Sequence, residues 1–251
     1  MTKVATDPQA HRSSYERLYA SSGLHDERGF YRWALRQFPL QKGARVLDVA
    51  CGEGGVLMAG AELGRDVWGV DIAFNAVSRI PSAGGPGRVL VASAEQLPFA
   101  EGAFDAVTCF GSLENFEQMA PALAEMRRVL TGDGWLCVMM PNKFWLGDIV
   151  SVCAGKEEQV PFQHVERVAT IGQWRNLLEA QGFNVVRVRG YVKRPPLCRN
   201  GKLRSLRKFL ASRLMSACCP TALSWSLLYV CRRGPIASRP EAARVWMWRA
   251  E

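Results

Sequence analysis

RVLDVACGEGGVLMAGAELGRDVWGVD, residues 45–71, restricts the fold more than any other stretch of this chain. Val46, Leu47 and Val49 form a short apolar run rich in β-branched residues, as a parallel strand buried on both faces requires. The run breaks at Gly52, Gly54 and Gly55, where the backbone can take positive φ and approach a ligand without a Cβ in the way. Val56 to Leu63 then supplies good helix formers, and the first N–H groups of such a helix point back at the turn as unpaired donors. A second apolar strand, Val67 to Val70, ends in Asp71. In a βαβ unit the ligand crevice lies outside the carboxyl ends of the strands, so Asp71 projects into it, where a carboxylate can accept both hydrogens of a ribose diol.

A glycine turn with a downstream acid also occurs in dinucleotide-binding proteins, but that fingerprint wants a third glycine for close helix–strand packing, and Leu57 stands there. Asp48, just before the turn, suits a ligand bearing an ammonium group better than a pyrophosphate. The string VLDVACGEGG closely resembles the first motif of class I S-adenosylmethionine-dependent methyltransferases. The resemblance implies that Asp48 serves the methionine end of S-adenosylmethionine. It implies too that Ala50, Cys51, Gly52 and Gly54 pack against the cofactor, that Asp71 holds the ribose hydroxyls, and that Ile72 and Phe110 are further contacts.

Downstream, Ala73 to Ile80 has the pattern of a helix, Pro81 to Gly87 that of a loop, and Arg88 to Ala92 that of a third strand. SAEQLPF, Ser93 to Phe99, resembles the family's adenine-edge segment, with Ser93 where the family usually has Asp. Ala94 can still offer a backbone N–H to the ring, and Glu95 is the candidate acceptor for the exocyclic amine. Phe104 to Phe110 is an apolar fourth strand, Leu130 to Gly134 a helix stop and turn, and Trp135 to Met140 a fifth strand. The whole string FDAVTCFGSLEN…ALAEMRRVLTGDGWLCVMMPN resembles the same family at matching spacings. Thr170 caps a helix running to Gln181, Phe183 to Val188 is a sixth strand, and Leu227 to Cys231 is a seventh, antiparallel in the resembled fold.

The transfer reaction asks little of a protein beyond aligning the acceptor with an activated methyl donor, and a base is needed only where the acceptor must lose a proton. Where the family often shows Glu-His after the fourth strand, this chain has Glu114-Asn115. Candidate catalytic groups are therefore Glu114 as a base, Asn115 as an orienting amide, and His164, whose imidazole titrates ordinarily at about 6.5. Arg167 can bind an acidic substrate group or pair with Glu166.

Two helices, Pro8 to Ala20 and Phe30 to Phe38, precede the first strand; the resemblance implies that such leading helices cover the cofactor, with Tyr15 or Tyr19 lining its pocket, and the alternative is that they simply pack as core. Lys143 to Pro161 carries Phe144, Trp145, Leu146, Ile149, Val150 and Val152, an apolar lid or core. From Ala180 to Pro240 there are 13 Lys and Arg and no Asp or Glu, against +9 for the whole chain, so basic charge is segregated into this window. Within it Leu203, Leu206, Leu210 and Leu214 form one helical stripe beside Arg204, Arg207 and Lys208. That pattern suits a membrane surface, RNA, an acidic substrate, or plain solvation. No RNA-binding module is recognisable, which argues against nucleic acid. The eight cysteines show neither CxxC nor a zinc spacing, so no metal and no disulfide framework is expected, and a reducing cytoplasm fits. The first residues lack the apolar segment of a signal peptide.

The expectation is one α/β domain over residues 1–233: a doubly wound, mostly parallel seven-stranded sheet, order 3-2-1-4-5-7-6 with the last strand antiparallel, and helices on both faces. Residues 1–43 are cap helices, 44–142 the cofactor-binding half, 143–169 and 191–223 substrate-side insertions, and 234–251 a C-terminal tail. The activity implied is S-adenosylmethionine-dependent methyl transfer to a small, acidic or amphiphilic molecule, at oxygen, with no metal. Alternatives are methylation of a lipid or quinone at a membrane surface, methylation of RNA through the basic window, and a non-catalytic cofactor-binding protein.

Overall fold

A computed structural model describes Ser13 and residues 28–80, 87–155, 165–192, 198–199, 202–203, 218–234 and 246–249. In chain order the elements are α1 (Arg28–Leu35), β1 (Arg45–Val49), α2 (Gly55–Glu62), β2 (Asp66–Asp71), α3 (Phe74–Val77), β3 (Gly87–Val91), β4 (Phe104–Phe110), α4 (Met119–Val129), β5 (Leu130–Pro141), α5 (Leu146–Cys153), β6 (Val165–Val168), α6 (Ile171–Ala180), β7 (Phe183–Tyr191), β8 (Cys198–Arg199), β9 (Lys202–Leu203), β10 (Ser226–Arg233) and β11 (Trp246–Arg249). Short 3₁₀ turns occupy Leu113–Asn115 and Thr221–Leu223.

Seven strands form one sheet in the order β3-β2-β1-β4-β5-β10-β7. Because β7 and β10 are the sixth and seventh strands of that sheet, this is the expected 3-2-1-4-5-7-6, and β10 runs antiparallel to both neighbours. Apolar side chains alternate between its two faces. Leu47, Val107, Leu136, Val138, Leu227 and Tyr229 pack with Ala122, Leu123 and Met126 of α4 and with Trp174 and Leu178 of α6. Val46, Ala106, Cys137, Leu228 and Val230 pack with Phe30, Ala34 and Leu35 of α1 and with Val56, Leu57 and Ala59 of α2. Burying both faces is what lets β1 and β4 be near-continuous apolar runs.

Thr170 caps α6 as expected: its Oγ1 accepts from the Gln173 N–H at 3.3 Å, and the Gln173 side chain accepts from the Thr170 N–H at 3.0 Å, a reciprocal pair. Other boundaries move. The helix expected over residues 73–80 is one turn, Phe74–Val77, continued to Ile80 by i→i+3 hydrogen bonds, since Pro81 disfavours helical backbone at the residue before it. Leu130–Gly134 is not a free turn. β5 begins at Leu130, paired with Phe104, and the register slips before Ala106 meets Trp135. In α5 no side chain is buried, and Ile149, Val150 and Val152 are exposed, as is Phe144 just before it, so this segment is not core. Trp246–Arg249, inside the segment expected to be a tail, pair antiparallel with Val165–Val168. Apart from Ser13, the helix expected over residues 8–20, with Tyr15 and Tyr19, lies outside the described residues, as does the basic stripe over residues 204–214. Among the described residues no helix is long and apolar enough to cross a membrane.

Candidate functional site

The carboxyl ends of β1, β2, β3 and β4 converge on the turn that follows β1. Ala50 takes φ 59°, a left-handed conformation that costs a non-glycine residue about 1–2 kcal/mol and persists only where its surroundings enforce it. Gly54 has φ 81° and its carbonyl opens α2 by accepting from the Met58 N–H at 3.0 Å. At Gly55 a Cβ would collide with the Tyr31 ring, so an aromatic side chain of α1 lies directly on the turn.

Two acids flank this turn in different ways. Asp71, 5% exposed, accepts from the Gly52 N–H at 2.8 Å and from the Ala73 N–H at 2.9 Å, so its carboxylate is oriented by backbone on both sides. Asp48 comes beside Thr108 because the parallel register pairs those residues, and the Thr108 hydroxyl donates to Asp48 Oδ1 at 2.6 Å. Burial pushes the Asp48 carboxyl up to about 8; the Thr108 hydrogen bond opposes the rise and the nearby Asp71 charge adds to it. Burial also holds the Cys51 thiol well above its ordinary range, helped by both acids, so Cys51 packs as a neutral side chain.

Asp71 opens onto a cavity. One wall is Ala50, Val70, Asp71 and Ile72 from the ends of β1 and β2; the second is residues 92–95 after β3; the third is Phe116 and Glu117 after β4. Its lining fits a nucleoside: a carboxylate held by backbone N–H groups, apolar side chains, and polar groups from the two loops.

Residues 47–138 match a family model described as a methyltransferase domain. Over those residues the chain is similar to methyltransferase domains, and its fold is that of class I S-adenosylmethionine-dependent methyltransferases. The ubiquinone/menaquinone biosynthesis C-methyltransferase UbiE of Paraburkholderia phytofirmans is 36% identical over 132 residues, which are 50% of this chain and 54% of the relative. The chain therefore spans about half the length of the curated relatives it matches. Two solved structures share the fold. An S-adenosylmethionine-dependent methyltransferase from Mesorhizobium loti has TM-score 0.58 and 17% identity, over 81% of this chain and 98% of its own. Phosphoethanolamine N-methyltransferase 2 of Haemonchus contortus, in complex with S-adenosyl-L-methionine, has TM-score 0.57 and 15% identity, over 82% and 53%.

Of the expected cofactor residues, Ala50, Asp71, Ile72, Ala94 and Glu95 are brought together on the cavity wall. Cys51 and Gly52 are buried at the turn, Gly54 starts α2, and Asp48 lies on the α1 and α2 side of the sheet with Thr108. Phe110 is part of an aromatic series, 6.4 Å between centroids from Tyr31 and 5.4 Å from Phe30. Phe30 in turn lies 4.7 Å from Tyr191, which is 6.5 Å from Trp225. Glu114 and Asn115 are both buried in the 3₁₀ turn after β4, and the Asn115 amide donates to the Gly111 carbonyl at 3.3 Å. His164 lies outside the described residues.

Arg167 has a place the sequence did not suggest. Its guanidinium donates to the carbonyls of Glu114 at 3.0 Å, Phe116 at 2.6 Å and Glu117 at 3.3 Å, so it braces the whole loop that forms the third cavity wall. Thr108, Tyr31, Phe116 and Glu117 were also missed. Nothing in local spacing marks them, because each is brought in by strand register or by packing between distant segments.

Proposed function

We propose that this chain transfers the methyl group of S-adenosylmethionine to an oxygen of a small amphiphilic acceptor, presented at the rim formed by the carboxyl ends of β1 and β4. The observation that carries the acceptor class is the aromatic and apolar series leading outward from the glycine turn. Tyr31 sits on Gly55, and Phe110, Phe30, Tyr191 and Trp225 follow in ring contact. The Trp225 carbonyl accepts from the Asn142 N–H, and a few residues on is α5 with exposed Ile149, Val150 and Val152. Exposed apolar side chains close to a ligand crevice offer a place for an apolar partner.

S-adenosylmethionine brings a methyl group already activated on a sulfonium, so the protein's task is alignment and the removal of one proton. In this reading Asp71 takes the ribose hydroxyls and Ala94 offers its N–H to the adenine edge. Asp48 faces the methionine end from beneath the turn. Glu114, the carboxylate at the end of β4, receives the acceptor's hydroxyl proton, and Asn115 orients the acceptor. A second reading has support of its own: the relatives named above are C-methyltransferases, and a hydroxylated ring can be methylated at carbon once its hydroxyl is deprotonated.

The test is mass-spectrometric product analysis with S-adenosylmethionine and a panel of hydroxylated aromatic acceptors with and without an alkyl tail. O-methyl product from the tailed acceptors, lost in Glu114→Gln with the KM for S-adenosylmethionine retained, is the expected outcome. Ring-methylated product installs the second reading, and turnover confined to tail-free acceptors removes the amphiphile.

A further inference from the structure

The loop after β3 lacks the acid that the resemblance leads one to expect against adenine, and the residue in its place is already engaged. Ser93 Oγ accepts from the Glu95 N–H at 3.2 Å and donates to Glu95 Oε2 at 3.2 Å. Glu95, the substitute that sequence alone suggests, is committed as well, since its other oxygen accepts from the Gln118 N–H at 3.2 Å. Its carboxylate ties the loop after β3 to the loop after β4.

Glu117 lines the same cavity from the loop after β4. Its Oε1 is buried and meets no hydrogen-bond donor among the described residues. A buried acceptor without a donor is costly, and such atoms in a folded protein call for a ligand or water to satisfy them. The loop that carries Glu117 is held from outside by the Arg167 guanidinium, which takes the Glu117 carbonyl. In a nucleoside bound in this cavity with its ribose at Asp71, the group of the base that can donate to a carboxylate is the exocyclic amine of adenine.

We propose that Glu117 is the specificity residue for that amine, replacing the acid missing at position 93, so that adenine is read from the loop after β4. This rests on the cavity being the cofactor's adenosine site. The 6-oxo analogue of the base presents a carbonyl where adenine has its amine, and a carboxylate repels it.

Calorimetry of the full chain with S-adenosylhomocysteine and with its inosine counterpart tests this. Wild type should favour the adenosyl ligand, and Glu117→Ala should cut the affinity ratio by about tenfold or more, the size expected when a hydrogen bond to a charged group is lost. Glu117→Gln should move the ratio further toward the inosyl ligand, because its amide can donate to the 6-oxo group, and this shift does not depend on stability. An unchanged ratio in both Glu117 variants, or a collapse of the ratio in Glu95→Ala alone, overturns the assignment. If wild type binds neither ligand, the adenosine site itself is wrong, which is a different failure.

Discussion

Replacing Asp48 by Asn should make the protein more stable, and increasingly so as the pH rises. In the fold the carboxyl is buried and pushed from 3.8 up to about 8, whereas in the unfolded chain it returns to its ordinary range. The folded state therefore holds a proton that the unfolded state releases, the reverse of the usual aspartate. The contribution of Asp48 to stability is complete below about pH 4 and is lost progressively as the pH climbs through about 8, because each pH unit in that window shifts the folding equilibrium up to tenfold toward the unfolded chain. Four units give an upper limit of about 6 kcal/mol, and half of that, allowing for relaxation, is about 3 kcal/mol, or roughly 6–12 °C in melting temperature for a domain of this size. Asn keeps an oxygen for the Thr108 hydroxyl at the same place and cannot ionise. Urea titrations of wild type and Asp48→Asn between about pH 5 and pH 8 should give curves that diverge with pH at equal m-values. A difference that stays constant with pH, or one that narrows, would refute the view that burial dominates this carboxyl. A stabilised variant that has lost affinity for the cofactor would show the acid kept for binding at the expense of stability.

Asp71→Ala strands the Gly52 and Ala73 N–H groups, each bonded to a charged acceptor, so it should cost about 3 kcal/mol or more of stability and weaken S-adenosylhomocysteine at least tenfold, while Asp71→Asn, which keeps one acceptor oxygen, should fall between. Chemical denaturation paired with calorimetry checks both effects, and undiminished binding in the alanine variant contradicts the ribose role. Arg167→Lys can hold one carbonyl of the loop where the guanidinium holds three, so the KM for S-adenosylmethionine should rise about tenfold with a smaller change in kcat. A variant that merely melts earlier, with steady-state constants unaltered, would reduce Arg167 to a structural brace.

The parts of the fold that local residues dictate were legible in advance. β1, β2, β4, β5 and β10 are apolar runs because the sheet is covered on both faces, and the cap at Thr170 with its partner at Gln173 is written into a four-residue span. α5 was ambiguous because Ile149, Val150 and Val152 have the same composition on a buried face or an exposed one, and only the packed structure leaves them outside. β6 and β11 were missed since neither segment forms a strand without the other, and Val168 and its partner Trp246 lie too far apart in the chain for any local pattern to register.

What the amino-acid sequence determined by itself was the kind of site: a bend rich in glycine after one strand, an acid before it and another at the end of the next strand, all set by neighbours within 27 residues. What the tertiary structure alone decided was how the acids and loops are used. Strand register brought Thr108 to Asp48, a short outlying strand delivered Arg167 to three carbonyls of a loop some 50 residues earlier, and loop packing engaged Glu95 while leaving Glu117 against the cavity. The physical reason is that backbone geometry follows from adjacent residues, whereas a hydrogen bond between distant segments exists only once the whole sheet has closed around it.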